Sequence, residues 1–199
     1  MSSRDLILSR LRTAGRTPAP LPAVPLFDQD LPPALDAFKQ ALARVGGIWC
    51  EPPADGDLDA LIRARFPDAR VVCSAVPEVA GTRRIEAVER PHELNDVDVG
   101  IVRPAFAVAE TGSLYLSERE YRVNALGYLS QHLVALLDPA QIVGNLHHAY
   151  HRPEFFAARY ACLMSGPSAT ADIEGVLIRG AQGIRSLTVI PVPLAGDAR

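Results

Sequence analysis

The chain has 199 residues, 48% of them hydrophobic, and a net charge of −3 at neutral pH, with an isoelectric point near 5.9. Such length and apolar content call for a substantial packed core rather than a disordered tail, and a slightly acidic balance offers no basic face to nucleic acid. The opening MSSRDLILSRLRTAGR interrupts its apolar spacing with charges, unlike a signal peptide, and no apolar run approaches the roughly 18 residues of a bilayer span, so a soluble cytoplasmic protein without a membrane span is expected.

Residues 3–13 place Leu6, Ile7 and Leu11 at helical intervals, which predicts a short amphipathic helix. The following RTPAPLPAVPLFDQDLPP carries Pro18, Pro20, Pro22, Pro25, Pro32 and Pro33. Proline fixes φ and lacks an N–H, so this stretch runs extended. Residues 1–33 thus read as a helical and proline-rich arm lying on the body or on a partner chain, and 34–199 as a single α/β domain. Pro32 and Pro33 suit the first turn of a helix over Ala34–Val45, which stops at Gly46-Gly47. GIWCE predicts a strand, Leu58–Phe66 a helix and ARVVCSAV a strand, while 77–96 is polar and irregular. DVGIVRPAFAVAETGSLYLSE has strand character at both ends and a glycine turn between. HLVALL reads as a buried strand, Pro139–His151 as a helix opened by Asp138-Pro139, RYACLMS as a strand, Ala171–Arg179 as a helix and RSLTVIPV as a closing strand. Continuous apolar strands alternating with helices indicate a mostly parallel sheet covered on both faces.

In such a sheet, ligands bind outside the carboxyl ends of the strands. SGPSATADIE gathers Ser165, Gly166, Ser168, Thr170, Asp172 and Glu174 at an expected strand–helix junction. The amides after Gly166-Pro167 would then leave a helix N-terminus and favour an anion, although Asp172 and Glu174 would repel one. The same residues also read as ordinary helix caps, with Ser168 or Thr170 as the N-cap. AETGSLYL presents Glu110, Thr111 and Ser113 around Gly112. The turn needs no ligand, yet Glu110 follows the apolar AFAVA, where a carboxylate at the lip of a core is open to acid, base or nucleophile chemistry. HHAYH sets His147, His148 and His151 at helical spacing for two metal ligands, but equally for solvated last-turn histidines. The three cysteines, Cys50, Cys73 and Cys162, lie far apart in apolar contexts without any CxxC. This chain therefore offers no ligand set of its own for an iron–sulfur cluster.

AETGSLYL, followed by SGPSATADIE, RGAQG and a closing apolar strand, resembles the lactate utilisation protein C family, the LUD domain, over about residues 95–193. The resemblance implies a three-layer α/β/α domain similar to the sugar-isomerase and CoA-transferase-like group. It implies a cytoplasmic role in oxidising L-lactate to pyruvate beside partner subunits that carry the iron–sulfur clusters. Its turn motif falls on Ala109–Ser113, with Ser113 where threonine is common. Its second motif falls on Ser165–Glu174, with Ala169 in place of arginine, and its third on Gly180–Ile184, with Gln182 before Gly183 in place of histidine and Ile184 in place of proline. Gln182 still hydrogen-bonds but shuttles no proton at neutral pH. On this resemblance Glu110 and Asp172 are the candidate catalytic residues. Thr111, Gly112, Ser113, Ser165, Gly166, Ser168, Thr170, Glu174, Gln182 and Gly183 are candidate ligand contacts for a small organic acid or cofactor fragment, with no metal ligands assigned. AETG is also similar to the glutamate-bearing turn of CoA transferases, which would make Glu110 the nucleophile of an autonomous acyl-transfer enzyme. A non-catalytic scaffold is the third reading.

Overall fold

The computed structural model describes residues 2–14, 20–172 and 174–194. Its strands are β1 (Ile48–Trp49), β2 (Val72–Ser74), β3 (Arg83–Arg84), β4 (Val99–Val102), β5 (Phe106–Val108), β6 (Ser113–Ser117), β7 (His132–Leu137), β8 (Ile142–Val143), β9 (Ala161–Met164), β10 (Ala169–Thr170), β11 (Ile178–Arg179) and β12 (Ser186–Pro191). The helices are α1 (Ser3–Thr13), α2 (Ala34–Arg44), α3 (Leu58–Arg65), α4 (Glu118–Tyr121), α5 (Leu126–Leu129), α6 (Leu146–Tyr150) and α7 (Pro153–Ala157). The central sheet runs β1-β12-β7-β4-β2-β3, with every pairing parallel. A second sheet runs β8-β5-β6-β9. It is antiparallel where β6 meets β5 and β9 and parallel between β5 and β8.

Alternation along the central strands divides the core. Leu133, Ala135 and Leu137 of β7, with Leu187 and Val189 of β12, pack against Ala107, Leu114 and Leu116 of the second sheet and against Phe38 and Leu42 of α2. Their neighbours Val134, Leu136 and Ile190 face the other way, onto Leu58 and Ile62 of α3. Because both faces are covered, the interiors of these strands are apolar except for Thr188 of β12, which is why they are legible in the sequence. The outer face of the second sheet, Phe106, Val108 and Tyr115, is closed by Ala149 of α6, with Phe155 of α7 packed against it. The mostly parallel central sheet flanked by helices is the expected three-layer α/β arrangement. The second sheet, inserted between the first sheet and α6–α7, is an addition to it.

Two expected helices are corrected. Within 139–151 only α6 is α-helical. Ile142 and Val143 instead form β8 beside Ala107 and Val108, and the helix starts afresh where the Asn145 side chain accepts the His148 N–H. A β-ladder thus outcompetes helical spacing over two residues. The helix expected over 171–179 is absent among the described residues; Ile173 lies outside them. Ala169 and Thr170 pair antiparallel with Arg179 and Ile178, and the intervening turn carries positive φ at Glu174 (52°) and Gly175 (71°). Left-handed backbone at two consecutive residues is incompatible with a continuing right-handed helix. In the arm, α1 buries none of its residues, and Asn145 holds the later segment by donating to the Leu26 and Phe27 carbonyls. Pro18 of the proline-rich stretch lies outside the described residues. No helix among the described residues is long and apolar enough to cross a membrane.

Candidate functional site

The two motifs meet through hydroxyl groups. β5 and β6 form a hairpin whose loop closes with the Gly112 N–H donating to the Val108 carbonyl, 2.9 Å. Gly112 sits at φ 66°, and a Cβ there would lie 2.6 Å from the Ala41 carbonyl carbon and 2.8 Å from Leu42 Cα. Only glycine lets this loop rest directly on α2. Because Leu114 pairs with Met164 across β6 and β9, Ser113 and Ser165 emerge side by side. Thr111 Oγ1 lies 2.6 Å from Ser113 Oγ, which lies 2.6 Å from Ser165 Oγ. This three-hydroxyl chain runs from the half-buried Thr111 through Ser113, 2% exposed, to the exposed Ser165. Each hydroxyl can donate to the next in either sense, so the chain can reverse its polarity to suit a ligand at its outer end.

Ser165 opens a cleft of about 340 Å³ lined by Tyr128, Cys162, Ser168, Gln182 and Gly183 among others. Gly166, at φ 72°, abuts the Val45 carbonyl that ends α2, and this contact holds the Ser165–Ser168 turn in place. The Ser168 N–H donates to the Ile184 carbonyl, and its own carbonyl accepts from Gly180. The amides after Pro167 are thus consumed in a loop-to-loop ladder, and no helix N-terminus is left to hold an anion. None of the cleft's lining residues is acidic, basic or a histidine. Tyr121 donates to or accepts from Cys162 Sγ at 3.3 Å, and Tyr128 hydrogen-bonds Tyr160 through their hydroxyls. Burial is the first cause that raises both Tyr121 and Tyr128 above the ordinary phenol value. Both phenols are therefore neutral near pH 7 and serve as hydrogen-bonding groups, not as bases.

The edge of the sheet is the reverse of the one expected. Tyr128 precedes β7, Gln182 and Gly183 precede β12, and the Val45 carbonyl against Gly166 stands just before β1. All of these segments enter the parallel strands, so the cleft opens at their amino edge and the carboxyl-edge expectation is corrected. The cause is the second sheet: Ser113 opens β6 and Ser165 follows β9, an antiparallel pair whose direction is independent of the parallel strands.

The carboxylates go elsewhere. Glu110 is exposed and its Oε2 accepts the Leu146 N–H, 3.2 Å, at the start of α6. Asp172 accepts from Thr170 Oγ1 at 2.7 Å, while the Asp172 N–H donates back to that hydroxyl. With Glu174 they occupy the exposed β10–β11 hairpin, and neither Glu110, Thr170, Asp172 nor Glu174 lines the cleft. Of the histidines, His148 bonds Asn145 Oδ1 and His147 packs on Phe27, ring centroids 4.7 Å apart. Among the described residues no three His, Cys, Asp or Glu side chains converge as metal ligands.

The family model described as the LUD domain matches residues 57–192, more than half of the chain. This chain belongs to the LUD-domain family. Its sequence is 27% identical over 158 residues to the lactate utilization protein C of Geobacillus thermodenitrificans, covering 74% of this chain and 63% of that protein. It is 26% identical over 168 residues to the protein of the same name from a further Geobacillus species, covering 79% and 67%. The match thus spans less than two thirds of the first relative's length. A crystal structure of a DUF162 family protein from Deinococcus radiodurans superimposes with a TM-score of 0.58 at 21% identity, covering 80% of this chain and 96% of that one; at that identity it shows the fold alone. In this LUD domain, Tyr128 and Cys162 join the motif residues in the cleft although neither is in a recognisable pattern. Cys162 looks like a core position of an apolar strand, and Tyr128 lies in a four-residue helix with no amphipathic period. Cys162 lies three residues before Ser165, whereas Tyr128 is brought there only by the fold, its hydroxyl on that of Tyr160.

Proposed function

We propose that this LUD domain serves cytoplasmic lactate utilisation as a non-redox subunit, which holds a cofactor fragment or small organic acid while iron–sulfur partner proteins carry the electrons. The observation that carries the reading is the Thr111–Ser113–Ser165 hydroxyl chain, which joins two distant motifs at the mouth of one cleft. Ser165, Ser168 and Gln182 would bind and orient the ligand by hydrogen bonds, with the Gln182 amide able both to donate and to accept. Gly166, against the Val45 carbonyl, and Gly183, against Ser168, let the walls of the cleft pack closely. Of the two ligands the uncharged lining favours the cofactor fragment, bound through a neutral group, because the free carboxylate of an organic acid would need a cation to offset its desolvation. Clusters would reside in partners, because Cys50, Cys73 and Cys162 are all free and no metal-ligand group assembles among the described residues. The names of the Geobacillus relatives supply the pathway.

The acyl-transfer alternative draws no support from geometry, since the Glu110 carboxylate faces α6 rather than the cleft. The test is reconstitution. Alone, the purified chain should reduce no dye with L-lactate; with iron–sulfur partners present, activity should appear, and Ser165→Ala with Gln182→Ala should lower it while the urea midpoint holds. Lactate turnover by the isolated, metal-free chain would overturn the proposal.

A further inference from the structure

A second cleft lies at the amino edge of the central sheet too, on the side where α3 ends. Its volume is about 430 Å³, and it is lined by Arg65, Phe66, Asp98, Gln131, His132 and Arg185, with Pro67, Asp68 and Ala69 at one side. We propose that this cleft binds the oxyanion group of a small metabolite, a carboxylate or a phosphate, between the guanidinium groups of Arg65 and Arg185.

The two arginines come from positions 120 apart in sequence, one ending α3 and the other entering β12. Arg65 is oriented from behind: its Nε donates to the hydroxyl of the fully buried Thr188 at 3.2 Å, which leaves its terminal nitrogens for the cleft. Arg185 is anchored by its backbone N–H, which donates to the Gln131 carbonyl at 2.7 Å. Among the described residues neither guanidinium is within salt-bridge distance of a carboxylate. A pair of forked donors without an internal acceptor matches the two-oxygen face of a carboxylate or phosphate.

Two acids share the cleft and offset part of that positive charge. Asp98 Oδ2 is taken by the N–H groups of Arg70 and Val71, at 2.7 and 2.9 Å, and Asp68 is exposed on the rim. The carboxyl end of α3 opens here too, and its partial negative charge is complemented by the last-turn residues Arg63 and Arg65. Arg185 belongs to no helix end; the stem of its side chain lies over Gly180, which leaves the guanidinium beyond that contact. His132 completes the wall. Its Nδ1 pairs with Ser186 Oγ at 2.7 Å, and its ring lies against Phe66 with centroids 4.9 Å apart. Burial first, then Arg185, lowers its pKa, against an opposing pull from Asp98. An anion between the arginines would reverse the second of these and draw a proton onto the imidazole. Phe66, Pro67 and Ala69 offer an apolar side for a short carbon skeleton. This inference is independent of the lactate proposal, whose cleft is uncharged.

The experiment follows the His132 ring proton by NMR while inorganic phosphate, succinate and L-lactate are each titrated into the full chain. The expected result is a saturable shift with at least one of them, weakened by added NaCl, and a His132 pKa that rises in the bound state. Phosphate alone or a carboxylate alone would identify the headgroup. Arg185→Gln, a change at an exposed position, should lower the affinity about tenfold, the loss of one charged hydrogen-bonding group, at an unchanged urea midpoint. Ser165→Ala, in the other cleft, should leave binding as it is. No saturable shift with any of the three anions, or Arg185→Gln binding like the wild type, would overturn the assignment, and neither result bears on reconstituted lactate oxidation.

Discussion

Replacing Gly112 by alanine tests the contact that presents the hydroxyl chain. The backbone at 112 is left-handed, φ 66°, which costs a non-glycine residue about 1–2 kcal/mol. The added methyl would also stand 2.6 Å from the Ala41 carbonyl carbon and 2.8 Å from Leu42 Cα. Both neighbours are helix backbone, so the loop or α2 must move, at about 1–3 kcal/mol for overpacking. The two effects together give about 2–5 kcal/mol, a large part of the stability of an ordinary domain. At a urea m-value near 2 kcal/mol per molar, the midpoint should fall by about 1–2.5 M. Fluorescence of Trp49 reports the transition, because this lone tryptophan packs edge-on to Phe38 of α2 at 6.1 Å. Gly56→Ala is the matched control: its φ is also positive, 75°, but a Cβ there meets nothing within 4 Å. It should carry the conformational cost only, roughly 0.5–1 M in midpoint. If the two variants melt together, the loop does not rest on α2 as described, and the reasoning fails.

Ser113→Ala removes the middle hydroxyl of the chain and strands the half-buried Thr111 partner, so a loss of about 1–2 kcal/mol is expected in the same melt; a wild-type midpoint would show that the three oxygens are not linked. The thiols should separate by burial. Cys73 is fully buried and burial pushes its thiol up to about 11, whereas Cys50 and Cys162 are only partly buried. Alkylation of the native chain at mildly alkaline pH, read by mass spectrometry, should therefore mark Cys50 and Cys162 and spare Cys73 until urea is added. Equal native labelling of all three would contradict the core around β2.

Much of the central sheet is legible in the amino-acid order because β4, β7 and β12 are buried on both faces and leave a continuous apolar signature, while α2 and α3 keep helical spacing. The turn at Gly112 is readable from its residue types alone. β8, β10 and β11 are not, since each has two residues, too few for any period, and each exists only because a partner strand lies beside it. The same limit applies to the site. Thr111, Ser113, Ser165, Ser168 and Gln182 stand out as motif residues and do gather at one cleft or its hydroxyl chain. Glu110 and Asp172 stand out equally, but a carboxylate beside a glycine turn has the same local pattern whether it faces a ligand or, like Glu110, the start of a helix.

By itself, then, the sequence determined the elements whose signal is local: apolar strands, amphipathic helices, glycine turns and the family motifs. Tertiary structure alone decided which hydroxyls touch, which acids are used up at helix and hairpin ends, and that the cleft opens at the amino edge of the parallel strands. These depend on pairing between segments some fifty residues apart, as in the Ser113–Ser165 contact. Long-range register is set by the packing of two whole sheets, which no short window of residues encodes.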